Sequence, residues 1–327
     1  MDAASTELAI GVDVGATKIA AALVARDGEL VDSDQLLTRP ERGSAAVLDD
    51  VARLVGPWLD RGGGAIRGIG VGTPGQVNSA AGTVHNAVNL GWDEVPLVAE
   101  LQDRLTGEAP VWVQKDANAS ALGELVFGAA RGYDDFVYVG VGSGLGGGVV
   151  AGGRLLTGDD WNAAELGHLS LDPAGRLCPC GNRGCAETVV SGPGLVALAR
   201  RYAVQGRYRS ALGPELSDDL TAEQIVEHAA AGDELALAAL AEAGKWLGIV
   251  LAACVAILNP ALFVVGGGLG LAAFDFLVPH ARAELARRTL AGSHQDLEIV
   301  PSQVASSAVG AASLVWYFDR ERGAENN

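Results

Sequence analysis

Three stretches of this chain have the residue types and spacing to do chemistry on phosphates. Asp13-Val14-Gly15-Ala16-Thr17-Lys18 has the form D-x-G-x-T-K. A carboxylate there can face a Mg²⁺ shell, Gly15 lets backbone N–H groups approach phosphate oxygens, and Thr17 and Lys18 add a hydroxyl and a cation. Taken singly, a tight turn is an equally good reading. Gly142-Ser143-Gly144-Leu145-Gly146-Gly147-Gly148 is stronger, with five glycines in seven residues between apolar strands. That composition weakens a strand unless something must come close to its backbone. Two such loops can clamp a triphosphate. A third cluster, Gly266-Gly267-Gly268, follows an apolar strand and offers bare backbone to an adenine and ribose, or is a plain strand-to-helix turn. Neither a P-loop nor a clean dinucleotide fingerprint is evident.

A separate group has metal-ligand spacing. His168, Cys178, Cys180 and Cys185 read H-x9-C-x-C-x4-C, with Gly181 and Gly184 supplying turns between them. Three thiolates and an imidazole suit tetrahedral Zn²⁺, and a closed four-ligand site is structural, with no position for a metal-bound nucleophile. Such a site contributes roughly 10 kcal/mol toward ordering its loop. The fourth cysteine, Cys254, lies in an apolar helical stretch and reads as an inert buried thiol.

These groups need elements to position them. Leu8 to Val14 and Ile19 to Val24 are apolar runs either side of the D-x-G-x-T-K turn, and the second ends at the turn Asp27-Gly28-Glu29, a β-hairpin. A helix is predicted over Ser44 to Leu59 and a strand over Ile66 to Val71, ending in Thr73-Pro74-Gly75. Val111 to Gln114 is a strand running straight into Lys115-Asp116-Ala117-Asn118, and good helix formers follow from Ala119 to Gly128. Asp116 thus stands where a strand hands over to a helix. Asp135 to Val141, the second glycine loop and Val149-Val150 repeat the first hairpin's design. Helical patterning dominates from Leu216 to Leu258, Leu262 to Val265 is a strand delivered into the third glycine cluster, and Ala305 to Phe318 is a helix expected to return to the first lobe. Alternating strands and helices give an α/β fold of two lobes, 1–118 plus 305–327 and a larger 119–304 carrying the zinc loop, with the site expected in an interlobe cleft.

Bulk properties narrow the function. At 327 residues and 49% hydrophobic the chain can fill two cores. Its net charge of -17 opposes phosphodiester backbones and anionic lipid headgroups, so neither nucleic acid nor membrane is an expected partner. Met1 to Glu7 has no basic or apolar leader character, and the apolar Trp246 to Leu258, with 13 residues before Asn259-Pro260, is too short to cross a bilayer. A cytoplasmic location is expected. Four cysteines, three of them crowded together, are too few for a disulfide framework.

These motifs together resemble one family, the ROK group (repressor, open reading frame, kinase), and within it the bacterial glucokinases. The resemblance spans nearly the whole chain. It rests on Asp13 to Lys18, Gly72 to Gly75, Asn89-Leu90-Gly91-Trp92, Asp116 to Ala119, Gly142 to Gly148, Glu165-Leu166-Gly167-His168, and Cys178-Pro179-Cys180-Gly181-Asn182-Arg183-Gly184-Cys185-Ala186-Glu187. It implies a two-lobed actin-like ATPase (ribonuclease H-like) sugar kinase fold, with ATP and Mg²⁺ as cofactors beside the structural Zn²⁺, a hexose substrate, and a homodimer or homotetramer. By resemblance Asp116 is the general base for the sugar's 6-hydroxyl, and Glu165, His168, Glu187, Gly75 and Asn89 contact the sugar. Asp13, Gly15, Thr17, Lys18, Ser143, Gly144, Gly146 and Gly267 fall to ATP.

One position departs from the pattern. Most of the family has Asn before the catalytic Asp, and here that residue is Lys115. An ammonium only donates, and beside Asp116 it weakens the carboxylate as a base. Either Lys115 faces the sugar and changes specificity, or it pairs elsewhere, for instance with Glu187, and leaves it unchanged. Aminosugar kinases of the same family (kanosamine, glucosamine or N-acetylmannosamine) and a non-catalytic sugar sensor are the alternatives. A DNA-binding repressor is disfavoured, because only a dozen residues precede the first phosphate loop. Polyphosphate as donor would favour a basic groove, and no cluster of Lys and Arg lines one.

Overall fold

The structure, a computed structural model, describes residues 7–105, 109–212 and 218–325. The acidic Met1 to Glu7 stretch lies outside the described residues apart from Glu7, and so does Leu216, the first residue of the expected helical region. The chain divides into two compact units, Met1–Gly132 with Leu155–Ala163 and Gln303–Asn327, and Tyr133–Arg154 with Ala164–Ser302.

Unit 1 opens with the expected hairpin, β1 (Leu8–Val14) and β2 (Lys18–Ala25), followed by β3 (Leu30–Leu37), α1 (Ser44–Gly62) and β4 (Ile66–Thr73). A small antiparallel sheet of β5 (Gln76–Asn78), β6 (Thr83–Ala87) and β7 (Trp92–Val95) precedes α2 (Leu97–Arg104), β8 (Val111–Lys115) and α3 (Asp116–Val126). The main sheet has the order β3-β2-β1-β4-β8, with β1, β4 and β8 parallel. Apolar residues of α1, Val47, Leu48, Val51, Leu54 and Val55, share a buried cluster with Ile10, Val12, Ile69 and Val71 of the sheet. A second cluster joins Ala9, Ala22 and Trp112 to Leu122 of α3 and to Ala311, Leu314 and Val315 of the C-terminal helix. That helix comes very close: a Cβ at Gly11 or Gly70 would run into the backbone carbonyls of Ala308 and Ala311, so these two glycines let it lie directly on the strands.

Unit 2 has the sheet order β11-β10-β9-β12-β13, formed by β9 (Phe136–Val141), β10 (Leu145–Ala151), the two-residue β11 (Arg154–Leu155), β12 (Leu262–Gly266) and β13 (Glu298–Pro301). Its helices are α4 (Glu187–Val190), α5 (Gly192–Gln205), α6 (Ala222–Ala230), α7 (Glu234–Leu258), α8 (Gly268–Ala272) and α9 (Phe274–Arg288), and the C-terminal helix of unit 1 is α10 (Ser307–Glu325). Asp233 caps α7 by accepting from the Ala236 N–H at 3.0 Å, and Asn259 ends it in a left-handed conformation ahead of Pro260. At 25 residues α7 is longer than the expected Trp246 to Leu258 and passes a length-and-composition test for a membrane span. It is nonetheless a core helix, because Leu235, Ala239, Leu240, Leu247 and Leu251 are all buried in unit 2.

The unit boundary falls after Gly132 and not after residue 118, because a cut there would sever α3 just behind Asp116. The segment Leu155–Ala163 also belongs to unit 1, which no feature of its own sequence signals.

Candidate functional site

The phosphate-type hairpin of unit 1 is closed by backbone bonds. The Gly15 N–H donates to the Lys18 carbonyl at 3.0 Å and the Thr38 N–H to the Thr17 carbonyl at 3.1 Å, while the Thr38 hydroxyl donates to the Gly15 carbonyl at 2.6 Å. Thr17 and Lys18 stay exposed. Thr38 is fully buried and was invisible to motif reading, since its partners lie more than twenty positions away. Asp13 pairs with Gly72 across the parallel β1–β4 ladder, and a Cβ on Gly72 would stand 3.6 Å from the Asp116 Cα. Gly72 thereby brings Asp13 and Asp116 into one neighbourhood. Burial raises the Asp13 carboxyl from 3.8 to about 7, with the Asp116 charge adding to the rise and Lys18 opposing it.

Asp116 is the first residue of α3, immediately after the wholly buried strand β8. Its side chain is exposed, and its Oδ1 accepts from the Ala117 N–H at 2.6 Å. Behind it, the Gln114 side chain accepts from the Lys115 N–H at 2.9 Å and from Asn118 at 3.1 Å, and donates to the Ser79 hydroxyl at 3.0 Å. The Asn118 Oδ1 is buried without a hydrogen-bond partner among the described residues. Lys115 is also buried, and its Nζ donates to the Ala163 carbonyl at 2.9 Å. Gly75 holds φ +107, and a Cβ there would meet the His85 carbonyl at 2.8 Å, so only glycine fits this turn. Asn89 sits exposed in a short 3₁₀ turn, Val88–Leu90.

In unit 2 the glycine-rich stretch is only partly a loop. Gly146, Gly147 and Gly148 belong to β10 and pair with Gly140, Val139 and Tyr138, leaving Gly142-Ser143-Gly144 as the turn. Gly147 has a packing reason: a Cβ there would stand 2.6 Å from the Ala164 carbonyl and 2.5 Å from the Leu166 side chain. The turn bearing Glu165 and His168 is thus pressed onto the glycine strand. Glu187, the first residue of α4, accepts from the Leu145 N–H at 2.9 Å, and a Cβ on Gly144 would lie 2.6 Å from its Oε2. Gly267, at φ +78, precedes α8 and lies against the Val141 backbone, which places the third glycine cluster beside the second hairpin. Glu165 is exposed.

The metal set is brought together. Ligand atoms of His168, Cys178, Cys180 and Cys185 all lie within 4.8 Å of one another. Cys180 Sγ and Cys185 Sγ are 3.7 Å apart, and Cys178 Sγ is 3.8 Å from His168 Nδ1. Two thiolates at a Zn–S distance of 2.3 Å and the tetrahedral angle lie about 3.8 Å apart, so the set fits zinc. The loop is shaped for it by the Cys178 N–H to Asn182 carbonyl bond at 2.7 Å and the Gly181 N–H to Cys178 carbonyl bond at 2.9 Å. Burial pushes the Cys185 thiol up to about 12 and raises Cys178, whereas the Asn182 N–H lowers Cys180. A bound cation reverses the cost of burying such thiolates. Cys254 is buried and far up, about 12, again through burial, which makes it unreactive.

Comparison with known proteins bears on the whole chain. The sequence model of the ROK family matches residues 9–317. A glucokinase from Streptomyces coelicolor is 35% identical over 94% of this chain and 97% of its own length. An N-acetylmannosamine kinase from Escherichia coli is 34% identical over 80% and 84%. Among solved structures, that of a ROK family glucokinase from Streptomyces griseus in complex with glucose and AMPPNP has a TM-score of 0.80 at 32% identity, covering 94% of this chain and 98% of that one.

Proposed function

The chain belongs to the ROK family, and on that premise we propose that it is an ATP-dependent hexose kinase acting on the 6-hydroxyl of glucose or a close relative. Its fold is the actin-like ATPase α/β fold of the family's sugar kinases. In this reading Asp116 takes the proton of the 6-hydroxyl, the freed oxygen attacks the γ-phosphorus in line, and the bridging oxygen leaves with ADP. The observation that carries the reading is the placement of Asp116: an exposed carboxylate at the end of a wholly buried strand, beside the Asp13–Lys18 hairpin. Such a base is fixed in position and reachable by substrate, and positioning does most of the work in phosphoryl transfer.

The remaining assignments follow. Gly15, Thr17, Lys18, Ser143, Gly144, Gly146 and Gly267 would face ATP, with Mg²⁺ held from Asp13 and supplying neutralisation of the phosphate charge. Gly75, Asn89, Glu165, His168 and Glu187 would meet sugar hydroxyls. His168 serves twice in this scheme, because its Nδ1 faces the cysteine cluster and leaves Nε2 for substrate. Zinc, held by His168, Cys178, Cys180 and Cys185, would order that loop and take no part in the chemistry. The enzyme would act in the cytoplasm as a homodimer or homotetramer.

Two experiments test this. Coupled ADP release is measured with glucose, mannose, glucosamine, kanosamine and N-acetylmannosamine; glucose as the best acceptor supports the reading. The similarity to an N-acetylmannosamine kinase favours an aminosugar kinase second, and preferred turnover of an aminosugar would replace the first reading with it. Sugar binding without turnover would mark a sensor. Asp116→Ala should lower turnover at least about 100-fold, and near-wild-type turnover would remove Asp116 as the base.

A further inference from the structure

Lys115 and Trp161 both contact the end of the excursion Leu155–Ala163 in unit 1, while its start is tied by the Leu155 N–H donating to the Tyr317 hydroxyl at 3.2 Å. The Lys115 ammonium is buried and donates to the Ala163 carbonyl at 2.9 Å. Two residues before Ala163, the Trp161 indole stacks on His85, with ring centroids 5.7 Å apart and planes inclined by 15°. His85 is itself fixed, through a 2.9 Å hydrogen bond between its Nε2 and the Thr83 hydroxyl, and its carbonyl is the group that Gly75 closes onto. Trp161 stands at φ 63 and Ala164 at φ 64, left-handed conformations that cost a bulky or β-carbon-bearing residue energy and persist where surrounding contacts impose them. Both contacts lie at or beside these two residues.

The placement relates these contacts to the site. One end of the Lys115–Ala163 bond is one residue from Asp116, the assigned base, and the other is two residues from Glu165, an assigned sugar ligand. The backbone under Lys115 does not slide, because its N–H is bonded to Gln114, which is tied to Ser79 and Asn118. A buried ammonium satisfied by a main-chain carbonyl is costly to strip of that partner.

We propose that Lys115 and Trp161 are positioning residues for the acceptor sugar: they act as one clamp on the end of the segment Leu155–Ala163, which leads into Glu165, and Lys115 influences sugar affinity through this clamp and not by touching the sugar. The proposal rests on the kinase reading above. Loosening the clamp at either point frees the same segment, so the two losses are not additive. ATP affinity is unaffected, since none of the clamp's groups belongs to the glycine hairpins.

The test compares wild type, Lys115→Met, Trp161→Gly and the double variant, with His85→Ala as a third way of removing the stack that leaves Lys115 in place. Glycine is used at 161 because it accepts φ 63 without strain. Sugar KM, ATP KM and kcat are measured by ADP release, and glucose Kd by calorimetry. Each single variant is expected to raise sugar KM and glucose Kd about 10-fold, with ATP KM within about twofold of wild type and the double variant no worse than the worse single. Three results would each overturn the clamp: Lys115→Met weakening sugar binding while Trp161→Gly and His85→Ala do not, which would mean direct contact; fully additive losses; or equal loss of sugar and ATP affinity. Wild-type turnover on the sugar panel reports on the kinase reading alone, and differences among the variants report on the clamp.

Discussion

Asp13 and Asp116 come from opposite ends of unit 1's sheet sequence yet feel one another: burial of Asp13, reinforced by the Asp116 charge and offset by Lys18, lifts the Asp13 carboxyl to about 7. An unfolded carboxyl ionises near 3.8, so between those values the folded protein holds a proton that the unfolded chain has lost. Stability therefore falls as pH rises from about 4 to about 7, by at most roughly 1.4 kcal/mol per pH unit from this group, and levels off above. Asp13→Asn removes the penalty. In urea titrations of protein kept free of divalent cations, the variant's advantage over wild type should be small near pH 4 and greatest at pH 8. An advantage that does not grow with pH would contradict the assigned shift.

Zinc removal is the second prediction. The buried Cys178 and Cys185 thiols titrate high without a cation, so binding of zinc at pH 7 should release roughly two to three protons. Calorimetry in buffers of different ionisation enthalpy measures that number directly. Cys180→Ser should lower the bound zinc below one per chain and the midpoint of thermal unfolding with it, without abolishing the fold of unit 1, which contains none of the ligands.

Much of this was legible because the informative residues are local. The D-x-G-x-T-K hairpin, the Lys115-Asp116 handover and the H-x9-C-x-C-x4-C spacing each lie within a short window, and the structure brings the four metal-set residues to within 4.8 Å. What escaped depends on partners far apart in sequence. Strand β3 is exposed along nearly its whole length, so LVDSDQLL carries no alternation to mark it. The β5–β7 sheet is too short for periodicity to register. Gly146 to Gly148 look like loop by composition, yet they pair as strand, and the turn from Ala164 to Leu166 needs the missing Cβ of Gly147. The Lys115 partner, a main-chain carbonyl 48 residues away, has no sequence signature at all.

Gly144 supplies a third prediction, since it separates the second hairpin's tip from Glu187. Gly144→Ala would set a methyl 2.6 Å from Glu187 Oε2 and dislodge the carboxylate from the Leu145 N–H. The ATP-assigned loop and the sugar-assigned carboxylate would move together, so KM for ATP and for sugar should both rise, roughly 5- to 30-fold, the equivalent of about 1–2 kcal/mol of lost hydrogen bonding. A change confined to ATP would show that Glu187 serves the loop and not the sugar.

Glu124 is the last, and it lies far from every motif. Its side chain is fully buried in α3 and accepts from the Ala129 N–H at 2.7 Å and from the Gln303 and Val304 N–H groups at 3.1 Å each. Ala129 is three residues before Gly132, where the chain first leaves unit 1, and Gln303 is where it returns for the last time. One carboxylate thus fastens the first and the last of the four crossings to α3, using charge-assisted bonds worth about 1.5–3 kcal/mol each when broken. Glu124→Gln keeps the size but turns one acceptor into a donor facing N–H groups, so the cost is the loss plus an unsatisfied contact. Unfolding in urea should show unit 1 destabilised by about 2–4 kcal/mol, and amide exchange at Gln303, Val304 and Ala129 should accelerate while that of the β9–β10 ladder stays unchanged. Uniform acceleration across both units would mean that Glu124 supports the fold at large and has no special hold on the crossings.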